Sequence, residues 1–142
     1  MTIVEACESK TNTTPEFPMG WYSVARSSEL LVGEVKSVQA FDRELVLYRT
    51  RSGVPVIQDA YCPHLGAHLG VKGRVVGESI RCPFHGWRYG TDGMCEHIPY
   101  SDEIPDRARL RTWHCEEKNG EVYIWFHREN TGPQWELPSL PE

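Results

Sequence analysis

The sequence predicts an all-β protein made of antiparallel strands. Short runs rich in β-forming residues alternate with turn residues along most of the chain, and each run spans four to six residues. Two tight turns are indicated between such runs, at 51–53 and at 118–120, where an Asn-Gly pair is a strong hairpin signal. No segment shows the long apolar period of an amphipathic helix. Strands joined by short turns favour an antiparallel arrangement.

The predicted strands are spread along the chain between two tails. They are residues 21–25, 44–49, 54–59, 73–76, 78–81 and 121–126. Residues 1–17 lack an apolar period and are predicted to form a flexible polar tail, and residues 131–142 are predicted to form an extended Pro-rich tail. No domain boundary is evident between the tails, so residues 18–130 are predicted to form one domain.

Composition limits the possible classes of function. With 142 residues, and 39% of the chain hydrophobic, the protein can bury a modest core. The net charge of −5 argues against nucleic acid as a partner, and no apolar stretch reaches the length of a membrane span. The N-terminus lacks the basic and apolar regions of a secretory signal. We therefore expect a cytoplasmic protein that binds neither nucleic acid nor membrane.

The cysteine count is consistent with a reducing compartment. The chain has five cysteines, which is an odd number. Cys7, Cys95 and Cys115 lie outside the two motifs described next, and three cysteines cannot all pair with one another. We therefore expect these three residues to be free thiols, as is usual for cytosolic proteins.

Two short cysteine–histidine motifs give the strongest chemical signal. In the first, C-P-H, Cys62 precedes His64 by two residues; in the second, C-P-F-H, Cys82 precedes His85 by three. Seventeen residues separate the motifs. Two thiolates and two imidazoles can hold a metal centre, and a two-iron cluster needs two ligands on each iron. Two similar loops, each rigidified by a proline and each supplying one Cys and one His, can bind such a cluster from both sides.

Three other interpretations compete with an iron–sulfur cluster. The four residues could be unrelated, although two Cys-Pro loops with closely spaced histidines rarely arise by chance. They could hold a structural zinc ion, although zinc-finger halves usually pair like with like, whereas each half here mixes Cys and His. They could form a catalytic Cys–His pair, but this interpretation leaves the duplication of the motif unexplained.

Further motifs surround the two cysteine–histidine pairs. They include G-W-Y at 20–22, W-R-Y at 87–89, G-x-C-x-x-I-P-Y at 93–100, the apolar run at 122–126 and L-P-S-L-P-E at 137–142. With these motifs, residues 18–142 resemble the Rieske [2Fe–2S] domain family of Rieske-type oxygenases and Rieske ferredoxins. The motifs at 93–100 and 137–142 are most similar to the N-terminal Rieske domain of oxygenases that act on steroids, such as ketosteroid hydroxylases.

The resemblance implies a fold, a cofactor and partners. The Rieske fold is an antiparallel β-sandwich base that carries a small cluster-binding subdomain of two loops. The cofactor is one [2Fe–2S] cluster, with Cys62, His64, Cys82 and His85 as its ligands. The implied function is one-electron transfer from a ferredoxin reductase or flavoprotein reductase to an oxygenase catalytic domain or component. Two alternatives stay open. One is that the chain is the truncated N-terminal part of a Rieske non-haem iron oxygenase that acts on steroids. The other is that it is a redox sensor.

A second iron site is not expected in this chain. Rieske oxygenases perform their chemistry at a mononuclear iron held by two His and one carboxylate. His97, His114 and His127 are not spaced with another His and an acidic residue as such a site requires. By resemblance, the catalytic domain would begin where this sequence ends. We therefore expect electron transfer, and no hydroxylation, from this chain alone.

Other positions in the two loops bear on the reduction potential. High-potential Rieske proteins carry an extra cysteine in each loop and a serine after the second, and by resemblance these positions are Ala67, Phe84 and Trp87 here. Without the disulfide and the hydroxyl donor, we expect a potential at the low end of the Rieske range, roughly −150 mV. His68 is expected to be a surface or hydrogen-bonding residue. Trp87 and Tyr89 are expected to pack below the cluster.

Overall fold

The computed structural model describes residues 17–138. Over this range the chain forms eleven β-strands in three antiparallel sheets and one 3₁₀ turn, Ser27–Glu29, which confirms the predicted all-β antiparallel fold. Three predictions, on Cys7, on residues 1–16 of the N-terminal tail and on residues 139–142, lie outside the described residues. No helix within 17–138 has the length and apolar character needed to cross a membrane.

The first sheet contains three strands in the order β1, β11, β10. They are β1 (Gly20–Arg26), β10 (Cys115–Lys118) and β11 (Glu121–Phe126). The predicted Asn-Gly turn joins β10 to β11, and Asn119 and Gly120 have φ values of 56° and 78°. Both values are left-handed, as a type I′ hairpin turn requires. The predicted strand at 121–126 and its hairpin turn are therefore confirmed.

The second sheet contains four strands in the order β2, β3, β4, β9. They are β2 (Val35–Ala40), β3 (Arg43–Arg49), β4 (Pro55–Asp59) and β9 (Thr112–Trp113). β3 and β4 confirm two predicted strands, and Gly53, with a φ of 95°, lies in the predicted turn between them. The sequence does not predict β2 or β9.

The third sheet is small and carries the two cysteine–histidine motifs. Its strands pair in chain order and are β5 (Arg74–Val76), β6 (Ser79–Arg81), β7 (Arg88–Tyr89) and β8 (Cys95–His97). The first motif lies in the connection from β4 to β5, and the second lies in the connection from β6 to β7. β5 and β6 match predicted strands, whereas β7 and β8 were not predicted.

β3 contributes side chains to two different hydrophobic cores. Successive side chains of a strand point to opposite faces. Leu45 and Leu47 point into the core between the first and second sheets, which form a sandwich, and Val46 and Tyr48 point into the core beneath the third sheet. All four side chains are fully buried. The core between the first and second sheets, called the base core below, also contains Leu30, Ile57, Trp113, Val122 and Ile124.

The second core contains the two motif cysteines. Cys62 and Cys82 are buried there beside Leu69, Ile80 and Tyr89. The subdomain formed by the third sheet and its two loops therefore closes over the outer face of the second sheet. This arrangement is the two-part architecture, a β-sandwich with a smaller loop-bearing subdomain, that the family resemblance implies.

An ion pair joins the two sheets of the base. Arg49, at the end of β3, is 8% exposed, and its guanidinium contacts the two carboxylate oxygens of Glu117 on β10 at 2.9 and 2.7 Å. The same guanidinium donates hydrogen bonds to the backbone oxygens of Leu30 and Gly53. The hydrogen bonds from Arg49 lower the pKa of Glu117, so the carboxylate is ionised at neutral pH.

The Arg49–Glu117 pair gives a stability prediction with a defined pH dependence. Glu117→Gln should lower the free energy of unfolding by about 1–2 kcal/mol at pH 7, because the guanidinium loses its counter-ion while it stays largely buried. Because the folded state lowers the pKa of Glu117, this contribution is present above the ordinary carboxylate pKa and is lost as the pH falls through the lowered value.

Thermal unfolding followed by circular dichroism tests this prediction. At pH 7 the unfolding temperature of the Glu117→Gln variant should fall by roughly 3–8 °C. The difference from the native chain should narrow under acid conditions. Glu116→Gln, at an exposed position of the same strand, is the control and should change the unfolding temperature little. An equal loss in both variants would show that the ion pair contributes nothing specific.

Candidate metal centre

The first loop is held by backbone hydrogen bonds around its cysteine. The N–H of Cys62 donates to the carbonyl oxygen of Ala67 at 2.8 Å, and the N–H of Gly66 donates to the carbonyl oxygen of Cys62 at 2.8 Å. Gly66 has a φ of 80°, in the left-handed region that favours glycine. This tight turn places His64 at the outer end of the loop while Cys62 stays at its base.

The second loop repeats the same hydrogen bonds. The N–H of Cys82 donates to the carbonyl oxygen of Trp87 at 2.8 Å, and the N–H of Gly86 donates to the carbonyl oxygen of Cys82 at 3.1 Å. Gly86 has a φ of 79°, close to the value at the equivalent glycine of the first loop. The two loops are therefore one backbone motif used twice, although the histidine takes a different position in each.

The two cysteine sulfurs lie next to each other at the base of the loops. Cys62 and Cys82 are 1% and 3% exposed. The Cys82 thiol hydrogen-bonds the Cys62 sulfur and lowers the pKa of Cys62 to about 6, while the same contact raises the pKa of Cys82. Backbone N–H groups from His64, Phe84 and His85 also point at these sulfurs. The pair therefore loses its first proton readily, and a nearby cation is needed to stabilise two thiolates.

The two histidines lie on the outer side of the cysteines. The ring centroids of His64 and His85 are 5.0 Å apart. His85 is exposed, and His64 is half-buried because the ring of Trp87 stacks on it at 4.1 Å with an interplanar angle of 8°. The four predicted residues are thus brought together, with thiols inside and imidazoles outside.

Tyr89 is a site residue that the sequence analysis treats only as packing. Its hydroxyl lies 3.2 Å from the sulfur of Cys62. Burial raises the pKa of Tyr89, so the hydroxyl keeps its proton and donates to a Cys62 thiolate. The expectation that no hydroxyl donor serves a sulfur is therefore wrong: Trp87 stands where the serine would be, but the Tyr89 hydroxyl contacts a cysteine sulfur. The contact joins residues 27 apart in the sequence, so no local pattern pointed to it.

His68 is engaged away from the loop ends. Its Nδ1 accepts a hydrogen bond from the N–H of Gly70 at 2.9 Å, so its Nε2 carries a proton and lies 2.9 Å from a carboxylate oxygen of Glu44. Both ring nitrogens are therefore in use, as expected for a hydrogen-bonding residue. Cys95 and Cys115 are free thiols, and burial raises the pKa of each.

The donor set fits one of two kinds of metal centre. In the range 17–138, no three His, Cys, Asp or Glu side chains converge so as to hold a single metal ion. A Rieske cluster divides its ligands differently, with two Cys on one iron and two His on the other. The buried thiol pair and the outer imidazole pair match that division, and the N–H groups aimed at the sulfurs match the hydrogen bonding of iron–sulfur sites.

Apolar side chains surround the exposed end of the site. Leu65 and Phe84 are 64% and 62% exposed, and each is adjacent in sequence to a motif histidine. Tyr61, in the connection that carries the first loop, and Tyr100, on the connection after β8, are also exposed. Large apolar side chains left in water beside a functional group often mark a contact surface.

This fold and donor set fit an iron–sulfur protein with mixed thiolate and imidazole ligation. A family model for the Rieske [2Fe-2S] domain matches residues 20–114, more than half of the chain. The chain therefore belongs to the Rieske [2Fe–2S] domain family. The cofactor of this family is one Rieske-type [2Fe–2S] cluster, as predicted.

Comparisons with known proteins place the relatives among Rieske-type oxygenases. The chain is 44% identical to cholesterol 7-desaturase nvd 1 of Ciona intestinalis over 128 residues, which is 90% of this chain and 27% of that protein. It is 38% identical to the oxygenase component of 3-ketosteroid-9-alpha-monooxygenase of Rhodococcus rhodochrous over 126 residues, 89% of this chain and 32% of that protein. The predicted resemblance to oxygenases that act on steroids is thereby confirmed.

A solved structure agrees with the sequence relatives. NdmA of Pseudomonas putida CBB5 superimposes with a TM-score of 0.70 at 29% identity, covering 77% of this chain and 34% of that one. The chain thus spans about a third, or less, of the proteins that it matches.

The two loop glycines give a matched test of the repeated backbone motif. An alanine at either position must adopt a left-handed conformation, which costs about 1–2 kcal/mol. A Cβ at Gly66 would meet nothing within 4 Å, whereas one at Gly86 would lie 3.0 Å from Pro99 and 3.2 Å from Arg81. Gly66→Ala should therefore lose about 1–2 kcal/mol of stability, and Gly86→Ala should lose more.

Thermal unfolding of the cluster-loaded variants measures this difference. Gly66→Asn is the control, because asparagine adopts left-handed backbone more readily than alanine and should recover part of the loss. Equal unfolding temperatures for Gly66→Ala and Gly86→Ala would contradict the crowding assigned to the second loop.

Proposed function

We propose that this chain transfers single electrons through a Rieske [2Fe–2S] cluster to an oxygenase centre. In this proposal Cys62 and Cys82 bind one iron, and His64 and His85 bind the other. The observation that supports it best is the repeated loop, which brings a buried thiol pair and an outer imidazole pair together at one end of the subdomain.

The division between buried thiols and outer imidazoles favours electron exchange through the histidines. The cysteines lie in the second core, so a partner cannot approach them directly. His85 is exposed and is flanked by the exposed side chain of Phe84. A partner that covers Phe84 and Leu65 would bring its own redox group to the imidazole edge. The cluster supplies the electron-carrying group, and the protein excludes water from its sulfur side.

We further propose that the electron acceptor is the catalytic iron of a steroid-acting oxygenase. The relatives that support this are named for cholesterol and for a 3-ketosteroid, and each is about three times as long as the matched region or longer. The catalytic iron would lie on a domain continuous with this chain or on a separate component. The electron donor would be a ferredoxin reductase or a flavoprotein reductase. The length of the relatives favours a domain of a larger oxygenase over a free ferredoxin.

Ligand substitution and a reductive titration test the proposal. Cys62→Ala, Cys82→Ala, His64→Ala and His85→Ala should each prevent or cripple cluster assembly, because each removes one of four iron ligands. The native chain should contain two irons and two sulfides and should accept one electron per cluster. Iron analysis and electron paramagnetic resonance after reduction provide the measurements.

His68→Ala is the matched control for these variants. His68 lies four residues after His64, but hydrogen bonds occupy both of its ring nitrogens. The variant should therefore keep a near-native iron content. Loss of the cluster in His68→Ala together with retention in His64→Ala would overturn the ligand assignment. Hydroxylated steroid formed by the 142-residue chain and a reductase alone would overturn its role as a carrier.

Tyr89→Phe should make the reduction potential more negative. The Tyr89 hydroxyl hydrogen-bonds the Cys62 sulfur, and this bond is stronger when reduction adds negative charge to the cluster. A differential of about 1 kcal/mol corresponds to about 40 mV for a one-electron couple. Protein-film voltammetry at fixed pH measures the shift. Tyr61→Phe, which alters a neighbouring exposed tyrosine, is the control, and a shift of the same size there would contradict a specific role for Tyr89.

A further inference from the structure

Trp87 belongs to one loop by its backbone and to the other by its side chain. Its carbonyl oxygen accepts the N–H of Cys82, so its backbone closes the second loop. Its indole ring lies flat on His64 of the first loop, with ring centroids 4.1 Å apart and an interplanar angle of 8°. The side chain is buried, with the residue only 4% exposed. Trp87 therefore connects the two loops at the position of a proposed iron ligand.

The orientation of the indole is fixed by a second contact. The Nε1–H of Trp87 donates a hydrogen bond to the hydroxyl oxygen of Tyr100 at 2.7 Å. Tyr100 lies on the connection after β8 and is itself 62% exposed, so this hydrogen bond links the buried indole to a residue at the surface. The indole cannot rotate away from His64 without losing this hydrogen bond, and a partly buried N–H without a partner is costly.

The equivalent position of the first loop explains why only one histidine is covered. Ala67 accepts the N–H of Cys62 just as Trp87 accepts the N–H of Cys82, so the two residues occupy the same place in the repeated motif. The methyl group of Ala67 is too short to reach His85, which stays exposed. The backbone is therefore nearly symmetric, whereas the surroundings of the two imidazoles are not.

We propose that Trp87 is a positioning residue of the redox centre, which clamps the His64 imidazole in one orientation across the two loops while Tyr100 holds the indole in place. This inference rests on the proposed function, because it requires His64 to be an iron ligand. In this arrangement His64 is the fixed and shielded ligand, and His85 is the ligand left open to a partner.

The indole also affects the charge balance of the cluster. Reduction adds one negative charge, which water stabilises and which the negative face of an aromatic ring disfavours. Trp87 excludes water from one side of His64 and presents the face of its ring to the His64 imidazole. Removing the indole should therefore move the reduction potential to more positive values. A residue that acted only as core packing would change stability without this shift.

Four variants of the cluster-loaded chain test the clamp. Trp87→Leu removes the stacking, Trp87→Phe keeps an aromatic face, and Tyr100→Phe removes only the acceptor of the indole N–H. Trp113→Leu is the matched control, since Trp113 is also a buried tryptophan, 5% exposed, but lies in the base core. The readouts are the two histidine nitrogen couplings in pulsed electron paramagnetic resonance of ¹⁵N-histidine-labelled protein, and the reduction potential.

The clamp predicts changes confined to one histidine. In Trp87→Leu one of the two nitrogen couplings should broaden or shift while the other keeps its native value, and the potential should become more positive. Trp87→Phe should restore most of the native signal, and Tyr100→Phe should broaden the same coupling to a smaller degree. Trp113→Leu should lower the unfolding temperature and leave both couplings and the potential unchanged.

Each contrary outcome has a defined meaning. Native couplings and a native potential in Trp87→Leu would overturn the clamp. If the Trp87→Leu variant holds no cluster, the Tyr100→Phe variant decides the question. A native spectrum of the Tyr100→Phe variant would also overturn the clamp. Retention of both couplings in His64→Ala would instead refute the ligand assignment, so failure of the proposed function can be told apart from failure of the clamp.

Discussion

The burial of β3 on both faces is the constraint on which the two halves of the molecule depend. Leu45 and Leu47 fill the sandwich core, and Val46 and Tyr48 fill the core beneath the loop-bearing subdomain. A strand with no solvent-facing side needs apolar residues at successive positions and hydrogen-bonded neighbours on both edges. β2 and β4 provide those neighbours. The subdomain that holds the cysteine pair is therefore packed on the same strand that holds the base together.

The candidate centre is built mainly from backbone geometry. Each loop uses one pair of hydrogen bonds and one left-handed glycine to put a cysteine at the base and a histidine further out. Side chains then make the two copies different. Trp87 and Ala67 occupy equivalent places, but only Trp87 reaches a histidine of the other loop. A nearly symmetric scaffold thus gives two imidazole environments that differ in exposure.

Local patterns predicted much of this structure, and contacts between distant residues were the part that they missed. The four candidate ligands were predicted from the spacing within two short motifs, and the Asn-Gly turn located the last hairpin. β2 was missed because its turn to β3 uses Phe41 and Asp42, which carry left-handed φ values without a glycine. β7 and β9 have only two residues each, too few to show alternation. The Tyr89–Cys62 contact spans 27 residues, so no local pattern indicated it.

The depth of the cysteine pair bears on how such a protein matures. Cys62 and Cys82 lie inside the core that closes the subdomain, and the outer imidazoles lie between them and solvent on the loop side. A preformed inorganic cluster is too large to pass through a packed interior, since cores contain few voids larger than a water molecule. On the proposed ligand assignment, cluster insertion and final closure of the loops would therefore be coupled.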